Sequence, residues 1–363
     1  MEKISGIITA NYLYDRSEPL TAHRGIASLP YGGRYRLIDF PLSNMMNFGL
    51  TSVGVITPHR YRSLLDHIGS GKPWALDRKR GGLFILPGTS YGLSHSDSRF
   101  ILKDIAVNEE FLRRGGSQYV IVSSSGIVAN INYDDLCKTH FESGADITML
   151  YSTNCRSCSN LMGLKLDGDR VIGTTENPAK GEPAFIESFI IGTDFLLKLI
   201  EWYSAIDHLD LFEAIQFDLD KMDVRACEFD GYCANICDAQ SYYEHSLDLL
   251  NPDIRADVFN TEAPIMTKIQ DTVPTKYMSD CKVSNSLIAA GCAIEGTVEN
   301  SILFRHVTIE PGAVVKNSII MQGCTVKAGA CIENAIIDRG HVIAANTILR
   351  GCEDKIFVLP KAK

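Results

Sequence analysis

The sequence lacks a long hydrophobic run. No window of its 363 residues approaches the roughly eighteen consecutive apolar residues that a membrane-spanning helix needs. The apolar stretch FIIGTDFLLKLI is interrupted by glycine, threonine and aspartate, and the opening MEKISGIITA shows no charged region followed by an apolar run and a small-residue cleavage site. We therefore expect a soluble protein with no secretory signal and no membrane partner.

Basic charge is also scarce. The formal net charge is -9, and the only dense basic cluster is Arg78-Lys79-Arg80. Because binding to a nucleic-acid backbone requires an extended basic surface, we expect no nucleic-acid partner. The short basic run could bind a sugar-phosphate effector or a partner subunit, and a solvated loop is an equal alternative.

The eleven cysteines give no sign of a disulfide framework, since their number is odd and no signal peptide is visible. They favour a reducing cytoplasm. Cys155-x-x-Cys158 could be a redox or zinc motif, but no second pair stands at the usual spacing. Cys233 and Cys237 lie far away in the sequence, so metal binding is disfavoured.

The first two thirds of the chain alternate short aliphatic runs with helical stretches, a pattern that favours an α/β layered sheet, largely parallel. A hairpin is expected over 163–173, turning at Asp167-Gly168-Asp169. The predicted strands are Ile4–Thr9, Ser52–Thr57, 119–123 and 147–151, and the predicted helices are 134–142 and 193–204.

From about Val283 the pattern changes. Aliphatic residues recur every five or six positions, which no helix does, at Val283, Ile288, Ile294, Val298, Leu303, Ile309, Val315, Ile320, Val326, Ile332, Ile337 and Ile348. A four-residue phrase that begins with asparagine returns at Asn285, Asn300, Asn317, Asn334 and Asn346. Such self-similarity is typical of a solenoid.

The repeat predicts a left-handed parallel β-helix of hexapeptide repeats, with one aliphatic side chain per face pointing inward. Small residues such as Gly312, Gly323 and Gly329 would allow the corners. The exposed flank of such a prism suits association with another subunit. We expect a first domain over 1–250, a proline-containing linker over 251–278 and the β-helix over 279–363.

The segment PYGGRYRLIDFPLSN, residues 30–44, closely resembles the signature that ADP-glucose pyrophosphorylases carry after their nucleotide loop. Residues 66–78, DHIGSGKPWALDR, and 81–87, GGLFILP, look like the next block of the bacterial enzymes. The resemblance spans nearly the whole chain. It implies a nucleotidyltransferase-type, Rossmann-like layered sheet followed by the β-helix.

The resemblance also implies a reaction. This family transfers the adenylyl group of ATP to glucose 1-phosphate, which gives ADP-glucose and releases pyrophosphate. The reaction needs Mg²⁺ held by two aspartates, a glycine-rich loop for the phosphates, and cations that neutralise developing charge. Each requirement can be compared with the aligned residues.

The phosphate-binding positions are replaced. Counting back from Leu20-Thr21, the family's loop glycines correspond to Asn11, Tyr12 and Tyr14, and only Arg16 is kept. The family's phosphate-facing lysine corresponds to Ile26, and the lysine that grips the sugar phosphate corresponds to Asn177. The stretch that contacts the base has no obvious counterpart.

The metal-binding positions are replaced as well. The first aspartate aligns with Gly126 and the second with Asn235. Neither residue offers the carboxylate oxygen that Mg²⁺ prefers. We therefore expect no metal cofactor, although the family uses one.

Several residues could still contact a phosphate: Arg16, Arg24, Gly32, Gly33 and Arg34. For Gly32, Gly33, Arg34 and the nearby Arg36 the alternative is structural, with the glycines turning the chain and the arginines pairing with carboxylates such as Asp39. For these residues the structural role is favoured.

The resulting hypothesis is a non-catalytic regulatory subunit that joins a catalytic ADP-glucose pyrophosphorylase subunit in a hetero- or homotetramer and responds to a sugar-phosphate effector. Two alternatives stay open. One is an active nucleotidyltransferase in which Asp15, Asp97 or Asp238 replaces the missing carboxylates. The other is a stand-alone sensor that binds a metabolite without a partner.

Overall fold

A computed structural model describes residues 2–10, 19–57, 60–88, 100–155, 161–206, 210–352 and 354–361. The N-terminal part contains strands β1 (Ile4–Thr9), β2 (Pro30–Tyr31), β3 (Tyr35–Arg36), β4 (Ser52–Thr57), β5 (Gly82–Pro87), β6 (Tyr119–Ser124), β7 (Ile127–Val128), β8 (Ile147–Ser152), β9 (Met162–Asp167), β10 (Arg170–Glu176), β11 (Ala184–Gly192), β12 (Val224–Glu228) and β13 (Ala234–Asn235). Its helices are α1 (Asp39–Asn47), α2 (Arg62–Ile68), α3 (Leu102–Ala106), α4 (Glu109–Gly115), α5 (Asp134–Ser143), α6 (Thr193–Trp202), α7 (Leu211–Phe217), α8 (Ala239–Asp248) and α9 (Pro252–Val258).

The predicted elements of the first part are confirmed with small shifts at their ends. Strands β1 and β4 have the predicted bounds, and β6 and β8 are each one residue longer. Helix α5 also gains one residue and stops where Gly144 takes a positive φ of 65°. The expected hairpin is β9–β10, and Gly168 in its turn has a φ of 62°.

Nine strands form one sheet in the order β5-β4-β1-β6-β11-β8-β12-β10-β9. The expectation of a largely parallel sheet was wrong. Strands β5, β4, β1 and β6 are mutually parallel, as are β8 and β12, whereas the four other pairings along this order are antiparallel. The reason is that β11 enters antiparallel between β6 and β8, and the β9–β10 hairpin extends the edge.

Helices cover both faces of the sheet, because neighbouring side chains of each central strand point to opposite sides. Ile8 and Ile121 face a hydrophobic cluster that α1, α2 and α5 complete. Ile7 and Val122 face a second cluster, completed by α3, α4, α6 and α7. The result is the layered α/β architecture that the alternation predicted.

The C-terminal part is a parallel β-helix with three faces. One face stacks β14 (Lys276–Tyr277), β17 (Ala293–Ile294), β20 (Thr308–Ile309), β22 (Thr325–Val326) and β24 (Val342–Ile343). The two others share the long strands β21 (Val314–Ile320) and β23 (Cys331–Ile337) and contain β15 (Lys282–Ser284), β16 (Leu287–Ile288), β18 (Thr297–Glu299), β19 (Ile302–Leu303), β25 (Ile348–Arg350) and β26 (Phe357–Leu359). Every pairing between these named strands is parallel.

Most of the predicted inward residues are buried in one cluster that runs along the β-helix. The exceptions belong to the end coils. Val283 is 37% exposed and Ile348 is 69% exposed, and Leu349 packs against the cluster instead of Ile348. An end coil has a neighbour on one side only, so its side chains are less covered.

The repeated asparagines occupy corners of the coils. All five have positive φ values, between 40° and 58°, a region that asparagine tolerates better than other residues with a side chain. Stacked asparagines also bond to each other, as Asn317 Nδ2 does to Asn334 Oδ1 at 3.2 Å. The predicted glycine corners Gly312, Gly323 and Gly329 have φ values of 69°, 73° and 70°.

A third hydrophobic cluster joins the two parts. Tyr31 and Tyr242 from the N-terminal part pack in it together with Ile302, Ile319 and Ile336 of the β-helix. Such burial of aromatic and aliphatic surface is the main force that holds two layers together. The β-helix therefore packs against the N-terminal part through the face that carries Ile302, Ile319 and Ile336.

The segment expected to be a linker begins with helix α9, which Asn251 caps by accepting a bond from the Asp253 amide. It then crosses α1, where Ser43 Oγ accepts from the Met266 amide at 2.8 Å. The division into 1–250, 251–278 and 279–363 stays a prediction. No helix within the described ranges is both long and apolar enough to cross a bilayer.

An ion pair is buried at the junction of the two parts. Arg24 Nη2 lies 2.8 Å from Asp338 Oδ2, and the two side chains are 6% and 2% exposed. The residues are 314 positions apart in the sequence. A buried carboxylate needs such a cation, because solvation by water is lost.

We expect Arg24→Met to destabilise the protein by about 3–5 kcal/mol, because it leaves Asp338 buried without its cation. The double variant Arg24→Met/Asp338→Leu should recover most of this loss. Urea unfolding measures both effects. Lys316→Met, which breaks the exposed pair with Glu299, is the control and should hardly move the midpoint. An equal effect of Arg24→Met and Lys316→Met would contradict the structural role of the buried pair.

Candidate functional site

The cleft of the sheet lies where its parallel strands end. Strands β1 and β6 are neighbours, and their last residues, Thr9 and Ser124, are paired. Ligands of open α/β sheets bind outside the carboxyl ends of such strands. Gly126 lies two residues after the end of β6, and its amide donates to Ser124 Oγ at 2.9 Å.

Gly126 and Asn235, the two positions that the sequence resemblance aligns with the family's metal aspartates, are neighbours in the structure. Strand β13 pairs antiparallel with β7, so that Asn235 lies opposite Ile127. The next amide, of Ile236, donates to the Gly126 carbonyl at 2.9 Å. The fold therefore brings Gly126 and Asn235 together, although a large part of the sequence separates them.

This pair does not fit Mg²⁺. Gly126 has no side chain, and Asn235 offers a neutral amide that is fully buried. Neither polar atom of the Asn235 side chain has a hydrogen-bond partner in the part of the chain that the structure describes. Over the same residues no group of three or more His, Cys, Asp and Glu side chains is placed to hold a metal. Mg²⁺ binds through hard, preferably charged, oxygen ligands, and neither position supplies one.

The other replaced positions supply no cation either. Ile26 lies in a short 3-10 turn, Ile26–Ser28, and its side chain is 1% exposed inside the cluster that joins the two parts. Asn177 follows β10 with a φ of 49°, and its backbone N–H donates to the Leu161 carbonyl at 2.9 Å. An aliphatic chain and an amide cannot neutralise a phosphate.

A buried acid at the cleft escaped the sequence analysis. Strand β11 pairs with β6 so that Ser188 lies opposite Ser123, which places Glu187 beside the end of β6. Glu187 is 3% exposed and has a φ of 54° at a bulge in the strand. A positive φ costs a residue with a side chain about 1–2 kcal/mol. Its signal was the single charge in the apolar run AFIESFIIG.

Some of the predicted site residues lie outside the described ranges. They are Asn11, Tyr12, Tyr14, Asp15, Arg16 and Asp97. Of the three acids considered as substitute ligands, only Asp238 is described. Its Oδ1 accepts from the Ser241 amide at 2.7 Å and caps helix α8, so this carboxylate already has a structural role.

The residues considered as residual phosphate contacts lead to a different place. Arg24, Gly33 and Arg34 line a cavity of about 60 Å³ between the β2–β3 hairpin and the β-helix, which we call the interdomain pocket. This volume holds a few water molecules or one small anion. Its basic lining residues are Arg24, Arg34, Arg36, Lys268, Arg305 and Arg339.

The glycines of this hairpin are needed for its shape. Gly32 and Gly33 have φ values of 53° and 80°. A Cβ atom on Gly33 would come within 2.9 Å of Leu287 Cδ2, so a larger residue would push this side chain aside besides being strained at the positive φ. The favoured structural role of the glycines agrees with this geometry.

Asp39, the example of a carboxylate partner for the hairpin arginines, meets Arg36 only through the backbone. The Arg36 amide donates to Asp39 Oδ2 at 2.9 Å, whereas its guanidinium donates to the Ser63 carbonyl. Asp39 instead lies 2.5 Å from His67 Nε2.

The interdomain pocket carries excess positive charge. Burial lowers the pKa of Arg36 to about 10, and the neighbouring Arg24 and Arg339 lower it as well, against the opposite effect of Asp39. Burial and the nearby Arg34 also lower the pKa of Arg305. Arg36 stays protonated at neutral pH, so the mutual repulsion persists, and a bound anion would relieve it.

A hydroxyl group completes the pocket. Ser28 Oγ is buried and has no hydrogen-bond partner among the described residues. A buried donor of this kind costs free energy until a water or a ligand satisfies it. The pocket therefore offers guanidinium groups and a hydroxyl group to one small anion.

The basic run noted in the sequence lies elsewhere. Arg78, Lys79 and Arg80 are exposed, and Arg78 Nε donates to the Ala75 carbonyl at 2.6 Å. Arg80 borders a shallow groove beside Phe84 and Phe111. The binding of an effector or partner by this run stays a prediction.

Two cysteines that are distant in the sequence meet in the structure. Cys155 and Cys233 lie 78 positions apart, yet their Sγ atoms are 3.7 Å apart. No sequence pattern indicated this contact, which arises because the ends of β8 and β12 are neighbours in the sheet. Cys158 lies outside the described ranges.

Comparison with known proteins matches the N-terminal and C-terminal parts of the chain to two different family models. Residues 15–251 match the family model "Nucleotidyl transferase", and residues 271–354 match "GlmU-like, C-terminal hexapeptide". The chain is 35% identical over 308 residues to the glycogen biosynthesis protein GlgD of Bacillus subtilis, which covers 85% of this chain and 81% of that protein.

Two further relatives extend the comparison. GlgD of Geobacillus stearothermophilus is 34% identical over 86% of this chain and 83% of its own length. A glucose-1-phosphate adenylyltransferase of Thermotoga neapolitana is 33% identical over 87% of this chain and 77% of its own length. The chain therefore belongs to the ADP-glucose pyrophosphorylase (glucose-1-phosphate adenylyltransferase) family, with a nucleotidyltransferase sheet followed by a hexapeptide β-helix.

Proposed function

We propose that this chain is a non-catalytic regulatory subunit of glucose-1-phosphate adenylyltransferase in glycogen biosynthesis. Its relatives place it in glycogen synthesis. The observation that carries the proposal is the β7–β13 pairing, which sets Gly126 and Asn235 side by side where the family's two metal aspartates would stand. The reaction needs a divalent cation there, and the chain offers no carboxylate to hold it.

The magnitude of the loss supports a pseudoenzyme. Removal of one electrostatic contact from a transition state costs about 3–4 kcal/mol, or about 100–1,000-fold in rate. This chain lacks both metal carboxylates and the cations at Ile26 and Asn177. The losses of transition-state stabilisation within one network are not additive. Two such losses nevertheless reduce turnover below the detection limit of most assays.

Glu187 adds to the argument. Its side chain is buried beside the end of β6, where the parallel strands end. An ionised carboxylate at this place would repel a triphosphate. The proposal therefore includes that the chain uses no Mg²⁺ cofactor for catalysis.

The partner in this proposal is a catalytic subunit of the same family. The two kinds of subunit form a hetero-oligomer, in line with the tetramer predicted from the sequence. The family's fold is kept while its chemistry is lost, which suits a subunit that acts through contacts with an active homologue. The proposal places the protein in the cytoplasm, where ATP and sugar phosphates are available. A stand-alone sensor is the second candidate, because the interdomain pocket could bind an anion without any partner.

The effector in this proposal is a sugar phosphate whose phosphate group enters the interdomain pocket while its sugar stays outside. Arginine guanidinium groups bind phosphate oxygens in pairs, and the pocket has four arginines from both parts of the chain at its walls, besides the ion-paired Arg24. An anion held there contacts the hairpin and the β-helix together. It would therefore change how firmly the two parts are joined.

The first prediction concerns turnover. With ATP, glucose 1-phosphate and Mg²⁺, the purified chain should form no ADP-glucose above the blank, because its cleft lacks metal ligands. Mixed with a catalytic homologue, it should co-elute with that subunit and change its kcat or its KM. Substantial turnover by the chain alone would refute the proposal. A chain that elutes free and leaves the rate of the homologue unchanged would favour the sensor.

The second prediction restores the missing ligands. The double variant Gly126→Asp/Asn235→Asp should bind Mn²⁺ in the presence of ATP at least tenfold more tightly than the unchanged chain, because it places two carboxylates side by side. Calorimetry or electron paramagnetic resonance measures this affinity. Asp238→Asn is the control and should leave metal binding unchanged. If the unchanged chain binds Mn²⁺–ATP tightly and Asp238→Asn removes that binding, the displaced-ligand enzyme is the better account.

The third prediction concerns the effector. Glucose 1-phosphate or inorganic phosphate should raise the Tm of the unchanged chain, and this rise should shrink as salt is added. Arg305→Gln and Arg339→Gln should each weaken binding about tenfold by removing one charged contact, roughly 1.4 kcal/mol. Arg78→Gln, in the exposed basic run, is the matched control. A loss of binding in Arg78→Gln alone would move the effector site to that run.

A further inference from the structure

Two thiols approach each other inside the N-terminal part. Cys155 follows β8 and Cys233 directly precedes β13. Their Sγ atoms are 3.7 Å apart, and the residues are 5% and 3% exposed. Both belong to the hydrophobic cluster beneath Ile8 and Ile121.

We propose that Cys155 and Cys233 form a reversible intramolecular disulfide, so that this pair is a site of oxidative modification. A disulfide has an S–S distance of about 2.05 Å, so the sulfurs need to approach by less than about 2 Å. Rotation about the bonds next to each Cβ moves a sulfur by such a distance. Cys237, four residues after Cys233, is already disulfide-bonded.

The chemistry balances with common cellular oxidants. Two S–H bonds break, one S–S bond forms, and two protons and two electrons leave the protein. A low-molecular-weight disulfide takes up the electrons and becomes two thiols by way of a mixed disulfide, and hydrogen peroxide becomes two waters. A dithiol reductant reverses the reaction by the same exchange.

The surroundings make this pair slow to react. The hydrogen bond from Cys155 and the burial of the site raise the pKa of the Cys233 thiol well above its usual range. Because the thiolate is the nucleophile, oxidation should be slow at neutral pH and should accelerate as the pH rises. A slow site responds to sustained oxidation and not to brief fluctuations.

The bond would fix the strand that lines the cleft. Cys233 adjoins β13, which carries Asn235 and pairs with β7 beside Gly126. A link to Cys155 ties this strand to the end of β8, across a ring of 78 residues. Since closure of a long ring lowers the entropy of the unfolded chain, the oxidised protein should have a Tm several degrees higher than the reduced one.

Peptide mapping of the full chain tests the proposal. The reduced protein is treated with glutathione disulfide at pH 8, the remaining thiols are blocked, and trypsin releases residues 139–156 and 226–255. We expect these two fragments to become linked. Cys158 falls in a different fragment, 157–165, so a link to 139–156 identifies Cys155.

Three variants assign the second sulfur. Cys155→Ser and Cys233→Ser should both abolish the link and the rise in Tm, whereas Cys227→Ser, in the same fragment as Cys233, should leave both unchanged. The exposed Cys352 reports whether the oxidant has acted, through its mixed disulfide. The proposal fails if Cys352 is oxidised while the thiols of Cys155 and Cys233 both still react with the blocking reagent. It also fails if the link between the two fragments survives in Cys233→Ser.

Discussion

The pairing of two short strands, β7 and β13, is the constraint on which the reading of this protein depends. It sets Gly126 and Asn235 beside each other at the cleft end of the sheet. A nucleotidyltransferase of this family needs two carboxylates at such a place, since one divalent cation has to be held while phosphates react. Here the backbone arrangement is present and the charges are absent.

The residues that carry the family resemblance have structural roles that do not depend on catalysis. Tyr31 donates to the His245 carbonyl at 2.7 Å, Asn44 Nδ2 donates to the Ala129 carbonyl at 3.0 Å, and Asp39 meets His67, all in buried positions. Their loss would leave buried polar groups without partners. This explains how the segment 30–44 is retained while the ligands in the cleft are replaced.

Much of the architecture was predictable, because strands, the hairpin and the β-helix follow from local periodicity. The sheet order was not, because β11 enters between β6 and β8 through contacts that no local pattern records. For the same reason the sequence did not indicate Asp338 as the partner of Arg24, which was considered only as a possible phosphate contact, and the contact of Cys155 with Cys233 was missed. Residues in the end coils, such as Ile348, follow the repeat in sequence but lack a covering neighbour.

A crystal of this chain soaked with ATP and Mn²⁺ tests the central claim most directly, because anomalous scattering locates the metal independently of any assay. The account predicts no metal peak within bonding distance of a protein oxygen in the cleft at Gly126 and Asn235. An ordered peak that bridges protein oxygens and the triphosphate there would contradict it.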